Sequence, residues 1–561
     1  MGRKRAPHHS SIGRRPGLVT ARSRILGLAA AFAIATATAA ESELPRVVKQ
    51  DGRAALIVDG APYTVLGAQV NNSSAWPAAL PKVWPAVPQL QANTVFVPIA
   101  WEQIEPQEGH FDFSFLDTLL AQARERNIRL GLLWFATWKN NGPNYAPAWV
   151  KLDNRRFPRV ITARGETLNS LSPHSPATLD ADRKAFVRLM RHLRAFDRER
   201  TVILVQVQNE PGTYGSVRDY SPIAERAFKS DVPQAVASKL GKPAGSWPAV
   251  FGDDAEEFFH AWSIARYIGE IAAAGKREYP LPMYVNAALR DPLEPGKPGA
   301  YASGGPTDNV IQIYQAAAPA IDFIAPDIYM RDSDKALRVL ELYRQHANPL
   351  FVAEIGNDTA YARYFFATLG AGGFGFVPFG IDFTGYSNYP LGAKRFDEAM
   401  IEPFAANFRL LAPWSRVWAR LAADGKTYGV AQPDDNTPQR IELGRFQATV
   451  TWNEWQFGMK EGTHAFGEPA GREIPDGGVL IAQLAPDEYL LTGRNARVSF
   501  DLANRSDGAH FIFDRVEEGH FDERGNWVFE RVWNGDQTDY GLNFTTLPQV
   551  LKAKLAAYSA N

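Results

Sequence analysis

Through residues 64–412, short apolar runs alternate with longer stretches whose apolar positions recur at helical spacing. The short runs cover 65–70, 94–99, 130–135, 202–207, 283–285, 321–325, 350–353 and 374–379. They are rich in Val, Ile, Leu and Phe and mostly lack polar alternation, as a strand covered on both faces requires. The longer stretches, among them 116–126, 183–196, 256–277, 335–346 and 361–369, are patterned as amphipathic helices. Eight such alternations predict an α/β fold, a (β/α)8 TIM barrel with loop insertions. A doubly wound open sheet shares the same order of elements and stays open on pattern alone.

The flanks read differently. Before the barrel, two apolar runs bracket Asp51-Gly52, and Asp59-Gly60 closes the second. Asp-Gly supplies the positive φ of a tight turn, so an N-terminal hairpin is expected. Beyond Pro413 alternating segments take over, at 447–452, 478–484, 488–492 and 497–502, with turn signals such as Asp476-Gly477. They predict a C-terminal all-β, sandwich-like domain over 413–561, closed by a helical stretch at 547–558. The barrel with its hairpin then occupies 41–412.

Residues 1–40 carry no Asp or Glu. They open on basic residues, including Arg3, Lys4, Arg5, Arg14 and Arg15, and end in an apolar run to Ala37-Thr38-Ala39-Ala40. A basic stretch, a short apolar stretch and small residues predict a cleaved signal peptide. The run is short for a membrane anchor, which needs about 20 apolar residues. The expected location is therefore exported, periplasmic or secreted, with no membrane attachment once the leader is removed.

Composition narrows the chemistry. Lys and Arg number 60 against 61 Asp and Glu, so no polyanion-binding surface is implied and nucleic acid is not an expected partner. There is no cysteine, which excludes disulfides, thiolate metal sites and a cysteine nucleophile. The ten histidines form no zinc-binding pattern. No Gly-x-Ser-x-Gly is present. Gly370-Ala371-Gly372-Gly373-Phe374-Gly375 precedes a strand and lacks the Lys-Ser/Thr ending of a phosphate loop. No metal and no cofactor are expected.

Two carboxylates stand at the ends of apolar runs: Glu210 in Val207-Gln208-Asn209-Glu210-Pro211, and Glu354 in Val352-Ala353-Glu354-Ile355-Gly356. In the barrel reading they fall at the C-terminal ends of strands four and seven, the rim where barrel enzymes place their reacting groups. A single Glu there reads as half of an ion pair. Two across one mouth, about 5–5.5 Å apart, suit a retaining glycosidase, one as protonated acid and one as nucleophile.

Asn209-Glu210 with Glu354 resembles the clan of retaining (β/α)8 glycosidases, as does the segment 101–113 after strand two. Within that clan the chain most resembles glycoside hydrolase family 35, in a bacterial β-galactosidase subgroup with a β-rich C-terminal domain. The likeness rests on the two Glu motifs, on Gly372-Gly373-Phe374-Gly375 and on Ala146-Pro147-Ala148-Trp149-Val150, and covers residues 45–561. It implies that Glu210 is the acid/base, Glu354 the nucleophile, Asn209 a partner of the sugar 2-hydroxyl, and Tyr329 a donor to the nucleophile. Better-known members carry an acidic residue after strand three; this chain has Trp134-Phe135-Ala136-Thr137-Trp138-Lys139-Asn140-Asn141. Recognition of galactose hydroxyls there is accordingly expected from Lys139 or Asn140.

Asn71, Asn72, Asn286 and Tyr386 follow other strands and complete a candidate sugar pocket. Of Trp101, Trp134 and Trp138, at least one is expected to stack on a pyranose, Trp138 first. The resulting expectation is an exported retaining exo-β-galactosidase acting on terminal β-D-galactosides, with plant cell-wall glycans as candidate substrates. An endo-β-glucanase, β-mannanase or β-glucosidase of the same clan, and a non-catalytic carbohydrate-binding protein, stay open. The C-terminal domain is open to packing on the barrel, to polysaccharide binding or to forming a homodimer.

Overall fold

The computed structural model describes residues 43–455, 474–504 and 508–559. The leader expected at 1–40 lies outside the described residues. Eight strands form the centre: β1 (Val65–Gln69), β2 (Thr94–Ala100), β3 (Arg129–Lys139), β4 (Val202–Asn209), β5 (Met283–Ala288), β6 (Phe323–Ile328), β7 (Val352–Ile355) and β8 (Gly375–Pro378). They close into one parallel barrel in chain order, with β8 pairing β1, which excludes the open sheet. Helices fall between them, including Ser114–Glu125, Pro176–Phe196, Ala255–Glu278 and Ser333–Tyr343.

The barrel's lower interior is filled by aromatic rings. Tyr284 stacks on Phe323 at 5.0 Å, and Phe351 packs against Phe323 at 5.4 Å and Phe374 at 5.3 Å. Gly131 makes room for this layer, because a Cβ there would collide with the Phe96 ring. Such rings carry large apolar areas, so the floor is a packed core and the polar groups are confined to the opposite, C-terminal rim. The expected hairpin is a three-stranded antiparallel sheet, Arg46–Gln50, Arg53–Val58 and Ala61–Tyr63. Both turns use Asp-Gly pairs at positive φ, with Asp51 at 51° and Asp59 at 55°. Its Leu56, Val58 and Tyr63 join the barrel-floor core.

The C-terminal part holds a six-stranded and a four-stranded antiparallel sheet. One element differs from expectation. The stretch read as a helix at 547–558 is the strand Val550–Ser559, paired with Glu488–Arg494 on one side and Ala509–Phe521 on the other. Its Lys, Leu and Ala content suggests a helix, but Leu551, Ala553 and Leu555 alternate into the core with period two, and the sheet takes it. The barrel and the β-rich part belong to one compact unit. Leu480, Ala482 and Leu490 share a core with the barrel helices, and Trp414 stacks on Phe521 at 5.5 Å. Among the described residues no helix is long and apolar enough to cross a membrane.

Candidate active site

The end of β4 is bent on purpose. Gln208 and Glu210 both lie at positive φ, 66° and 45°, where non-glycine residues are strained. Side-chain hydrogen bonds hold the bend. Gln208 Oε1 accepts from the Trp138 backbone N–H at 2.9 Å, and its Nε2 donates to Asp182 at 2.7 Å. The buried Asp182 carboxylate also accepts from Trp134 Nε1 at 2.8 Å and from Thr137 Oγ1 at 2.5 Å. Burial pushes the Asp182 pKa upward against these donors. One residue further, the Glu210 N–H donates to Asn286 Oδ1 at 3.0 Å, and Asn141 Nδ2 donates to the Glu210 carbonyl at 3.2 Å.

The Glu210 side chain therefore leaves the strand in a fixed direction. Lys139 Nζ stands 4.0 Å from its Oε2. Burial raises the Glu210 pKa to about 7; Lys139 opposes the shift and the Glu354 charge adds to it. A carboxyl so placed keeps its proton near neutral pH.

Glu354 sits within β7 and is 3% exposed. Gln69 Nε2, from the end of β1, donates to its Oε1 at 2.7 Å, and Asn209 Nδ2 reaches the same oxygen at 3.4 Å. Tyr329 donates its hydroxyl to Oε2 at 2.6 Å. The Tyr329 pKa lies well above its usual value, first through burial and then through the Glu354 charge, so the phenol remains a donor. Glu210, Asp327 and Glu354 each offer a carboxylate oxygen within 4.8 Å of the others.

The structure thus brings Glu210, Glu354, Asn209, Tyr329 and Lys139 together. Asn140 accepts a hydrogen bond from Lys139 Nζ and sits beside that group. Asn71 donates its backbone N–H and its Nδ2 to Asp382, at 2.8 and 2.9 Å, which leaves its buried Oδ1 without a partner. Asn71 and Asn72 line a cavity of about 290 Å³ with Ser73, Ser74, Tyr145, Thr384 and Tyr386. Tyr386 is 61% exposed at its edge.

Trp138 is a correction. It is 1% exposed, its Nε1 donates to the Leu171 carbonyl at 3.2 Å, and its ring packs edge-on against Tyr267. No face is left for a sugar. Trp101 and Trp134 are equally buried, with their N–H groups taken by Glu105 and Asp182. Sequence reasoning missed Gln69, Asp327, Gln208 and Asp182. Three of them carried a visible signal: Gln69, Gln208 and Asp327 are polar residues inside otherwise apolar strands.

The fold is a (β/α)8 barrel with a C-terminal β-rich part, and a stretch of the barrel is similar to β-galactosidases. Residues 83–271 match the model of glycoside hydrolase family 42, described as "Beta-galactosidase", and residues 404–545 match one described as a domain of unknown function, DUF5597. A beta-galactosidase of Xanthomonas manihotis is 30% identical over 211 residues, 35% of this chain, and the match spans 31% of that relative's length. Among solved structures, the beta-galactosidase of the psychrophilic Marinomonas ef1 aligns with a TM-score of 0.44 at 14% identity, over 62% of this chain and 60% of that one. The catalytic domain of beta-amylase from Paenibacillus polymyxa aligns with a TM-score of 0.45 at 12% identity, over 61% and 97%. The motifs resemble family 35, whereas the matched model is that of family 42, so membership of family 35 is not supported.

Proposed function

We propose that the protein is an exported, retaining exo-β-galactosidase. One observation carries the reading: one carboxylate oxygen of Glu210 and one of Glu354 lie within 4.8 Å of each other. Inverting glycosidases hold their carboxyls about 6.5–9.5 Å apart to admit a water, whereas retaining enzymes close the gap to about 5–5.5 Å. Galactose as the sugar is supported by the family 42 match and by the Xanthomonas relative.

In this reading protonated Glu210 gives its proton to the glycosidic oxygen as that bond to the anomeric carbon breaks. A Glu354 oxygen attacks the same carbon from the other face and forms the glycosyl ester. Glu210, now ionised, takes a proton from water, which attacks the anomeric carbon and releases Glu354. The hydrogen bonds from Gln69, Asn209 and Tyr329 fix the attacking carboxylate before substrate arrives. Asn209 Oδ1 is buried without a partner and is free to accept from a sugar hydroxyl. The cavity walled by Asn71 and Tyr386 offers amide, hydroxyl and phenol groups suited to a hydroxyl-rich ring.

A panel of aryl glycosides tests the sugar. The β-galactoside is expected to be hydrolysed fastest; preference for a glucoside or mannoside would move the assignment to another member of the clan. Export is tested by N-terminal sequencing of the exported protein, expected to start near residue 41. A chain retaining residues 1–40 would contradict the leader.

A further inference from the structure

A third carboxyl stands in the site, and the two-carboxyl mechanism does not use it. Asp327 lies in β6, in register with Glu354 on β7 and with Ala288 on β5. It is 2% exposed. Its Oδ2 accepts from Asn286 Nδ2 at 2.6 Å, while Asn286 Oδ1 takes the Glu210 N–H. Asn286 therefore ties Asp327 to the backbone of Glu210. Asp327 Oδ1 is buried and receives no donor.

The titratable groups that interact electrostatically with Asp327 are Glu210 beyond β4, Glu354 on β7, Lys139 at the end of β3, and the phenols of Tyr284, Tyr329 and Tyr343. Three carboxyls within 4.8 Å meet one lysine, whose Nζ is 4.0 Å from the nearest of them. Three ionised carboxylates at that spacing would repel, and two carboxylates can hydrogen-bond only if one keeps a proton. Asn286 presents Oδ2 with a donor, so the proton belongs on Oδ1.

We propose that Asp327 is a neutral carboxylic acid in the resting protein and donates its Oδ1 proton as a hydrogen bond to the Glu210 carboxyl. This makes it a positioning residue for the acid/base, and the proposal rests on the role given to Glu210 above. Burial, reinforced by the Glu354 and Glu210 charges, drives the Asp327 pKa well above its usual value, in agreement. When Glu210 gives up its proton and becomes ionised, the Asp327 hydroxyl stabilises the new charge. No proton leaves Asp327 in this step, so the same hydrogen bond persists while Glu210 acts as base.

The test compares Asp327→Asn, Asp327→Ala and the unaltered protein in the pH dependence of kcat/KM on an aryl β-galactoside. Asn replaces a neutral acid with a neutral amide whose N–H₂ can occupy the Oδ1 position. The proposal expects the alkaline limb of Asp327→Asn to stay in place and activity to fall less than about tenfold. Asp327→Ala removes a donor to ionised Glu210, so its limb should move to higher pH. Were Asp327 ionised, Asn would delete a negative charge beside Glu210 and shift the limb about one unit or more to lower pH, overturning the proposal. Infrared difference spectra at pH 7 read the same proton without turnover: a protonated carboxyl C=O band should vanish in Asp327→Asn, and an unchanged band would also overturn it. If a cation instead bridges the three carboxyls, activity should be lost in EDTA and restored by magnesium or calcium, a third contradicting result. Absence of hydrolysis by the unaltered protein on every glycoside would sink the glycosidase reading, while the infrared band would still decide the state of Asp327.

Discussion

The two catalytic candidates face each other across one rim but are held in opposite ways. Glu354 is surrounded by donors: Gln69, Asn209 and Tyr329 all point hydrogens at it. Glu210 has a lysine 4.0 Å away, two acidic neighbours and a backbone bent to positive φ. One environment fixes a carboxylate for attack; the other raises a carboxyl's pKa so that it holds a proton. In the proposed mechanism the same side chain takes two roles because neighbouring strands supply different partners.

Removing the proposed nucleophile should erase the asymmetry. Glu354→Ala is expected to lower kcat by about 10⁴-fold or more on any β-galactoside, measured in steady state. Replacing the proposed acid should be selective. Glu210→Ala is expected to cost about 10²–10⁴-fold on substrates with poor leaving groups and much less on an activated aryl galactoside that needs no proton. Equal losses on both substrates would break the division of roles.

Tyr329→Phe deletes one donor to Glu354 and should lower kcat about tenfold to a hundredfold, since a hydrogen bond to a charged group is worth about 1.5–3 kcal/mol. KM should change little. Because the Glu210 pKa is raised to about 7, kcat/KM should fall as pH rises through that value. The smallest effect concerns stability. A raised pKa in the folded state favours folding at low pH, and that contribution is lost as pH rises toward about 7. Glu210→Gln should therefore raise Tm by a few degrees at pH 8 and by less at pH 5; an equal gain at both pH values would remove Glu210 from this account.

The barrel was legible because buried parallel strands show as uninterrupted apolar runs, and eight of them fell in order. The two Glu residues were legible because each ends such a run. What escaped is what depends on direction. The tryptophans near strand ends look like sugar platforms in sequence, yet Trp134 and Trp138 point outward into the helix layer and their N–H groups are spent on Asp182 and Leu171. Asp327 shows as a polar residue in an apolar strand, but the sequence cannot say that β6 and β7 align it with Glu354. The strand at 550–559 escaped because its composition suits a helix while its pairing partners lie 31 to 66 residues away.

Double displacement is most directly read from the first sugar released. Proton NMR during hydrolysis of an aryl β-galactoside follows the anomeric signal before mutarotation. With Glu210 and Glu354 acting as acid/base and nucleophile, β-galactose should appear first and the α-anomer only later. Initial release of α-galactose would mean a single displacement and would contradict the central claim.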